Sequence, residues 1–387
     1  MNSHDATRAT PFEAPHRIAI VASFAPSLLR FRGDLIAAIC ANGHKVLCLA
    51  PDFDGETRQA LAGLGATSQD YPLARRGMNP WADLRSITAL TGHFRRWRPD
   101  IVTGYTPKAA LYSAIAAARA HTPRIVPMIT GLGYAFLGDP GRKVQILRWI
   151  SKALYRRALA NSHAAIFHNE DDARLLRQLG VMPRTLPVHL VGGSGVNRAM
   201  FPSQPLPAFD RGLVFLMVAR LLKQKGVREF CEAAQAVKAR SPHSRFWLAG
   251  PPEDGEDCVP ADVIASYGTC VDFLGQRTDI AELLAQCHVF VLPSHGEGLP
   301  RTVLEAMSVG RPVITTDAPG CRSTIEPGGN GLLVPVGDSP ALAQAMEQLL
   351  RRPDRIAAMA AQSLRLVAEK YEVGAVNQRT MTALGLA

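Results

Sequence analysis

The sequence predicts an α/β fold in which a doubly wound parallel sheet is built twice. Three observations predict it. Short apolar runs alternate with helix-length stretches along nearly the whole chain. The runs are apolar throughout, as strands buried on both faces are. The rhythm breaks once, at residues 192–197 and 201–207, and then restarts. A chain of 387 residues is long enough for two such domains.

The elements follow in order. Residues 17–22 read as the first strand and 31–41 as a helix stopped by Asn42-Gly43. Strands at 44–50 and 100–103 come next, then a helix at 108–120 and a strand at 124–129. A strand at 164–168 precedes a helix whose first turn carries Glu170, Asp171 and Asp172, charges that suit the helix dipole. After the break, strands are expected at 213–219, 244–249, 271–274, 289–292 and 312–315. Helices are expected at 227–240, 279–286, 301–309 and 340–351. The expected division is a disordered lead-in at 1–16, one domain at 17–195, a second at 196–370, and a final helix at 371–387.

Composition excludes several classes. Hydrophobic residues make 47% and charged residues 20%, a globular balance. No run of eighteen apolar residues predicts a membrane span. The polar start lacks the apolar core of a secretory signal. Seven scattered cysteines without a C-x-x-C pair suggest buried thiols in a reducing cytosol. Residues 1–195 carry 24 Lys+Arg against 13 Asp+Glu, a net +11, while the remainder nets −1. No nucleic-acid motif accompanies this basic half, so an anionic membrane surface is the better partner.

The most informative stretch is Pro293-Ser294-His295-Gly296-Glu297-Gly298-Leu299-Pro300, continuing through Glu305 to Gly310-Arg311-Pro312-Val313. An apolar strand runs into a glycine turn, and Pro300 stands where a helix begins. Such a turn offers free backbone N–H groups and a positive dipole end to an anion. Glu297 and Glu305 are separated by seven residues. This pattern resembles the retaining glycosyltransferases of family 4. The resemblance implies the GT-B architecture, two Rossmann-like domains facing across a cleft, with the final helix at 371–387 crossing back to the first domain. It places Glu297 by the donor sugar and Glu305 on the nucleotide ribose, whose hydroxyls a carboxylate can accept.

The same resemblance puts Arg220 and Lys225 on the donor diphosphate, where charge grows as the nucleoside diphosphate departs. Gly298, Leu299 and Pro300 would line the nucleotide-sugar site, and Gln276 and Arg277 would flank the base. Asp317, Arg322 and Glu326 lie at another strand end, with Glu326 a lesser acidic candidate. The N-terminal half would hold the acceptor. Its first strand–helix loop lacks the glycine pair of many relatives, which leaves Arg32 as a substitute cation. Thr130, Gly131, Gly133 and Tyr134 fall where many relatives carry Thr-x-His-Gly; Leu132 rules out that histidine. The string 130–134, with 167–172, is similar to the subgroup that builds polyprenyl-diphosphate-linked surface polysaccharides.

The expected activity is retaining transfer of a hexose or N-acetylhexosamine from a nucleotide-sugar, UDP favoured and GDP-mannose second, to a lipid-linked saccharide. It would occur at the inner face of the cytoplasmic membrane. A soluble sugar acceptor and a non-catalytic nucleotide-sugar binding module are the alternatives. No cofactor and no metal are expected: Asp52-Phe53-Asp54 has a D-x-D form but lacks the pairing a metal transferase needs. His163 and His168 read as structural histidines.

Overall fold

The computed structural model describes residues 15–74, 79–133, 136, 142–253, 255 and 257–386. The N-terminal half runs β1 (Arg17–Val21), α1 (Pro26–Ala41), β2 (Lys45–Ala50), α2 (Gly55–Gly63), β3 (Ala66–Asp70), α3 (Pro80–Trp97), β4 (Ile101–Gly104), α4 (Pro107–Arg119) and β5 (Arg124–Ile125). It continues with β6 (Met128–Ile129), α5 (Arg142–Leu159), β7 (Ala165–Phe167), α6 (Glu170–Gln178) and β8 (Val188–Leu190). Its strands pair in parallel in the order β3-β2-β1-β4-β5. A bridge between Tyr105 and Met128 leads on to β6-β7-β8.

The expected single strand at 124–129 is thus two. Val126 still donates to the Val102 carbonyl, but Pro127 has no N–H to give. Its carbonyl accepts from Ile166 instead, so the chain changes partners there. The segment between residues 50 and 100 also holds three elements the periodicity does not announce. β3 is a polar edge strand, Ala-Thr-Ser-Gln-Asp, with little apolar signal. Asp54 of the D-x-D string caps α2 by accepting from the Thr57 N–H at 2.6 Å.

The second half runs β9 (Val214–Val218), α7 (Val227–Arg240), β10 (Arg245–Ala249), α8 (Ala261–Ala265), β11 (Asp272–Gly275), α9 (Ile280–Gln286) and β12 (Val289–Leu292). Then come α10 (Arg301–Val309), β13 (Val313–Thr316), β14 (Gly331–Val334), α11 (Ser339–Arg351), α12 (Pro353–Leu366) and α13 (Val373–Leu384). Six parallel strands order as β11-β10-β9-β12-β13-β14, a doubly wound sheet whose order reverses beside β9 and β12. Loops leaving those two strands therefore border the crevice in which such sheets bind ligands.

One apolar core fills the second half, including Phe215, Phe230, Phe246 and Phe290. The first half has two, one on each face of its sheet. Leu90, Phe94, Tyr112 and Tyr155 of α3, α4 and α5 cover one face. On the other, Leu35 and Ile39 of α1 pack with Met381, Ala383 and Leu384 of α13. The chain's last helix thus completes the first half's core. The two crossings between halves lie side by side. Val196 donates to the Tyr371 carbonyl at 2.9 Å, and Val373 donates to the Val196 carbonyl at 3.1 Å.

Arg311, in the string that opens β13, is fully buried, and among the described residues its hydrogen-bond partners are backbone carbonyls. Its guanidinium donates to the Leu284 and Ala285 carbonyls at 2.7 and 3.0 Å, at the C-terminal end of α9. It also donates to Gln204 and Pro205 at 3.2 and 2.9 Å. A cation there satisfies orphan helix carbonyls and their dipole. Arg311 therefore ties the interdomain segment to the second half.

Candidate functional site

The turn from β12 to α10 carries Glu297 into the seam between the halves, and α10 itself carries Glu305. The turn follows an apolar strand and is pinned on three sides. Ser294 donates through Oγ to the Gln224 carbonyl at 3.1 Å, and His295 N–H donates to the same carbonyl at 2.9 Å. Glu297 N–H donates to the Pro319 carbonyl at 3.0 Å. Gly298 lies so close to the first half that a Cβ there would overlap the Thr130 carbonyl oxygen. Gly226, at the N-terminal end of α7 with φ of 75°, is excluded from a side chain in the same way by the Pro293 carbonyl.

Within this frame Lys225 Nζ reaches Glu297 Oε1 at 2.6 Å, with both side chains mostly buried. This joins two residues that sequence reasoning assigned to one site from segments 72 positions apart. Arg220 occupies the same loop after β9, but its guanidinium pairs with Glu253 Oε1 at 3.2 Å, at the surface. Its side chain is half exposed and engages Glu253 rather than Glu297.

Glu305 is 8% exposed, one turn into α10. Burial pushes its carboxyl above the usual carboxylate range, against the pull of Arg301 and Arg30. Arg301 donates to it at 2.9 Å from one turn earlier. The same guanidinium donates to the Arg30 carbonyl of the first half and lies 5.5 Å from the centre of the Phe31 ring. Arg301 was not foreseen; its spacing of four from Glu305 was the available signal. Pro300 stands one residue ahead of the helix, as its cap, rather than at the first helical position.

Other expected residues divide. Thr130 and Gly131 meet Gly298 at the seam, and Leu299 packs against Gly193. Gly133, with φ of 79°, lies against Pro107, away from these contacts. Tyr134 lies outside the described residues. Arg277 binds Asp279 through Nε at 2.8 Å, so its side chain is engaged within its own loop, and Gln276 is exposed beside it. Glu326, the lesser acidic candidate, is engaged elsewhere. Gln362, Lys370 and Arg365 hold it at 2.6, 3.1 and 3.2 Å against the helices that lead back to the first half.

Arg32 is only 4% exposed. Its guanidinium sits 5.0 Å over the Tyr105 ring and donates to His168 Nε2 at 3.3 Å. Burial, with the nearby Arg301 charge, lowers its pKa to about 10, so it still carries its proton at neutral pH. Burial and Arg32 together hold His168 well below the ordinary histidine value, so its ring is neutral and can accept that bond. His163 accepts the Ile125 N–H at 3.1 Å, a structural use.

Asn169 joins the halves. Its side-chain oxygen accepts from Asp172 N–H at 2.8 Å and caps α6; its nitrogen donates to the Gly298 carbonyl at 2.7 Å. An Asn ahead of three acidic residues is a cap signal, but nothing in sequence announces its second bond. Arg322 makes a further tie, to Asp317 at 2.6 Å and to Asp171 of the first half at 2.9 Å. His295 Nε2 lies 2.7 Å from Glu229 Oε1, and this hydrogen bond raises the histidine's pKa.

Comparison with known proteins fits this geometry. The profile described as "Glycosyl transferases group 1" matches residues 212–352, and "Glycosyl transferase 4-like domain" matches residues 30–192. The chain is 30% identical over 345 residues to the Campylobacter jejuni N,N'-diacetylbacillosaminyl-diphospho-undecaprenol alpha-1,3-N-acetylgalactosaminyltransferase, covering 86% of this chain and 89% of that one. It is 28% identical over 290 residues to the Escherichia coli UDP-Gal:alpha-D-GlcNAc-diphosphoundecaprenol alpha-1,3-galactosyltransferase, covering 71% and 72%. Among solved structures, Anabaena HepE in complex with UDP and glucose superposes with a TM-score of 0.73 at 19% identity, over 96% of this chain and all of that one. The two facing sheets are thus the GT-B fold, and the chain belongs to glycosyltransferase family 4, the group 1 glycosyltransferases.

Proposed function

We propose that this glycosyltransferase moves a hexose or N-acetylhexosamine from a UDP-sugar to a saccharide carried on polyprenyl diphosphate, with retention at the anomeric carbon. The product would serve surface polysaccharide assembly at the inner face of the cytoplasmic membrane. The observation that carries the donor half is the Lys225–Glu297 pair at the switch point of the second sheet, with Glu305 buried one helical segment further on. Two relatives whose names specify diphospho-undecaprenol acceptors support the acceptor class, and one of them names UDP-Gal as donor.

In this reading Arg220 and Lys225 take the donor diphosphate. Glu305 accepts from the ribose hydroxyls, released from Arg301 as they bind. Glu297, aimed by Lys225, faces the sugar. The acceptor hydroxyl attacks the anomeric carbon from the side the diphosphate leaves. The new glycosidic C–O bond forms as the C–O bond to phosphate breaks, and the acceptor proton passes to the departing phosphate oxygen. The enzyme's task is then to stabilise charge on that leaving group, which fixed cations do in a preorganised site. Two cations at the diphosphate make a bound metal unnecessary in this scheme.

Thermal-shift assays with UDP, GDP, ADP and dTDP, with and without EDTA, test the donor. Stabilisation by UDP alone, unchanged by EDTA, is expected, because a ligand of the native state raises its melting point. A shift with GDP instead would replace the donor. The anomeric coupling of product made from a UDP-sugar and a polyprenyl-diphosphate saccharide tests the stereochemistry and acceptor.

A further inference from the structure

Two loops meet at the donor site. The loop after β9 brings Lys225, and the turn after β12 brings Glu297. The Lys225–Glu297 pair ties them, but a substrate would draw on that tie. A lysine ammonium has three protons to give, and a diphosphate bound there claims part of them. A tie that keeps the two loops in register in the loaded site must spare both residues.

His295 and Glu229 form such a tie. His295 stands two residues before Glu297, and Glu229 lies in the first turn of α7, four residues past Lys225. The His295 Nε2 to Glu229 Oε1 separation is 2.7 Å, with the glutamate side chain 15% exposed and the imidazole 36%. A carboxylate only accepts, so Nε2 carries the proton. The backbone N–H of His295 donates to the Gln224 carbonyl, so both ends of this residue are committed to the segment that carries Lys225. The charges that face His295 are acidic, Glu229 from α7 and Asp257 from the segment before α8. The Glu229 bond raises the pKa of His295 against its burial, and the two carboxylates add to the rise. Burial works to raise Glu229, but the His295 bond and its own backbone N–H hold it below the usual carboxylate range, with Arg228 assisting.

We propose that His295 is a positioning residue for the donor: through Glu229 it holds the Glu297 turn against the N-terminal end of α7, so that Lys225 and Glu297 keep their places when the diphosphate binds. This rests on the donor reading above. A pH dependence follows. The folded value of His295 is raised, so the stabilisation it gives is complete below the ordinary histidine value and is lost as pH rises through the folded value. The neutral ring can still donate from Nε2, so the tie weakens to an uncharged donor on a carboxylate. Glu305 governs donor affinity on the acid side; His295 governs it on the basic side.

The test uses the full chain with isotope-labelled histidine, the signal missing from His295→Gln identifying the ring by NMR. It is expected to titrate above the ordinary histidine value, and to move down toward that value in Glu229→Gln. By calorimetry, UDP affinity of the parent is expected to fall as pH rises through the ring's own titration. His295→Gln is expected to bind UDP about tenfold more weakly below that titration, the scale of one charge-assisted hydrogen bond, and to show no slope through it. Glu229→Gln should move the fall to lower pH. A ring titrating at or below the ordinary value overturns the proposal. So does a His295→Gln variant with parental UDP affinity and slope, whatever its melting temperature, since a purely structural pair would change the melt alone. If the parent binds none of UDP, GDP, ADP and dTDP, the donor reading falls and this role with it; parental binding by the variant removes this proposal alone.

Discussion

Lys225 and Glu297 hold each other at 2.6 Å in a site screened from bulk water, so each fixes the other's position. Lys225→Ala removes a charge that would act on the departing diphosphate. Turnover should fall by about a hundredfold or more, the scale of losing one preorganised stabiliser. The melting temperature should move by only a few degrees; a melt and a steady-state assay read both. Glu305 makes a pH prediction. Its folded carboxyl titrates above its ordinary value. Between the unfolded and folded values the folded state keeps the proton, so its contribution to stability declines as pH rises through that window. Nucleotide affinity runs the other way, because ribose hydroxyls need the carboxylate. UDP affinity measured by calorimetry should drop as pH falls toward the carboxylate range, and in Glu305→Gln it should be weak and flat. The side chains of the donor string were legible because their chemistry is local to a short motif. Arg301 and Asn169 were not, because each acts through a partner in the other half.

At the scale of elements, α6 and α7 show how backbone needs become site geometry. Asn169 caps α6 and holds the Gly298 carbonyl with the same amide. Asn169→Ala should cost about 1–2 kcal/mol for the cap and hydrogen bond and should also loosen the Glu297 turn, raising the donor KM. Asn169→Asp keeps the cap yet cannot donate to Gly298, so chemical denaturation paired with kinetics separates the two roles. Gly226→Ala places a Cβ against the Pro293 carbonyl at positive φ. Loss of Lys225's position, and with it of turnover, is expected beyond any loss of stability. Strands β9, β10 and β12 were readable because they are apolar runs bounded by turn residues. β3 and α2 were not, since one is a polar edge and the other is short with a weak apolar face. The strand expected at 124–129 failed at Pro127, where the missing donor forces a change of partner.

For the whole molecule, the doubled architecture was visible in the doubled rhythm, whereas the return of α13 was expected from the family resemblance alone and rests on packing that no local pattern encodes. Met381, Ala383 and Leu384 are buried in the first half's core, so deleting residues 373–387 uncovers a face of α1. Each buried aliphatic side chain is worth roughly 1.5–3 kcal/mol, and a domain has little margin beyond a few of them. The truncated chain should lose its cooperative melt, or show the first half unfolding well before the second in calorimetry. The paired crossings at Val196 and Val373 have a mechanical consequence. Two adjacent backbones, hydrogen-bonded to each other, act as the spine of a book: they resist sliding and yield to bending. Relative motion of the halves is therefore swinging about an axis through that spine, like covers opening. Small torsion changes beside Gly195, which already sits at φ of 69°, would turn one half against the other. Such a swing would widen or narrow the seam into which the Glu297 turn projects.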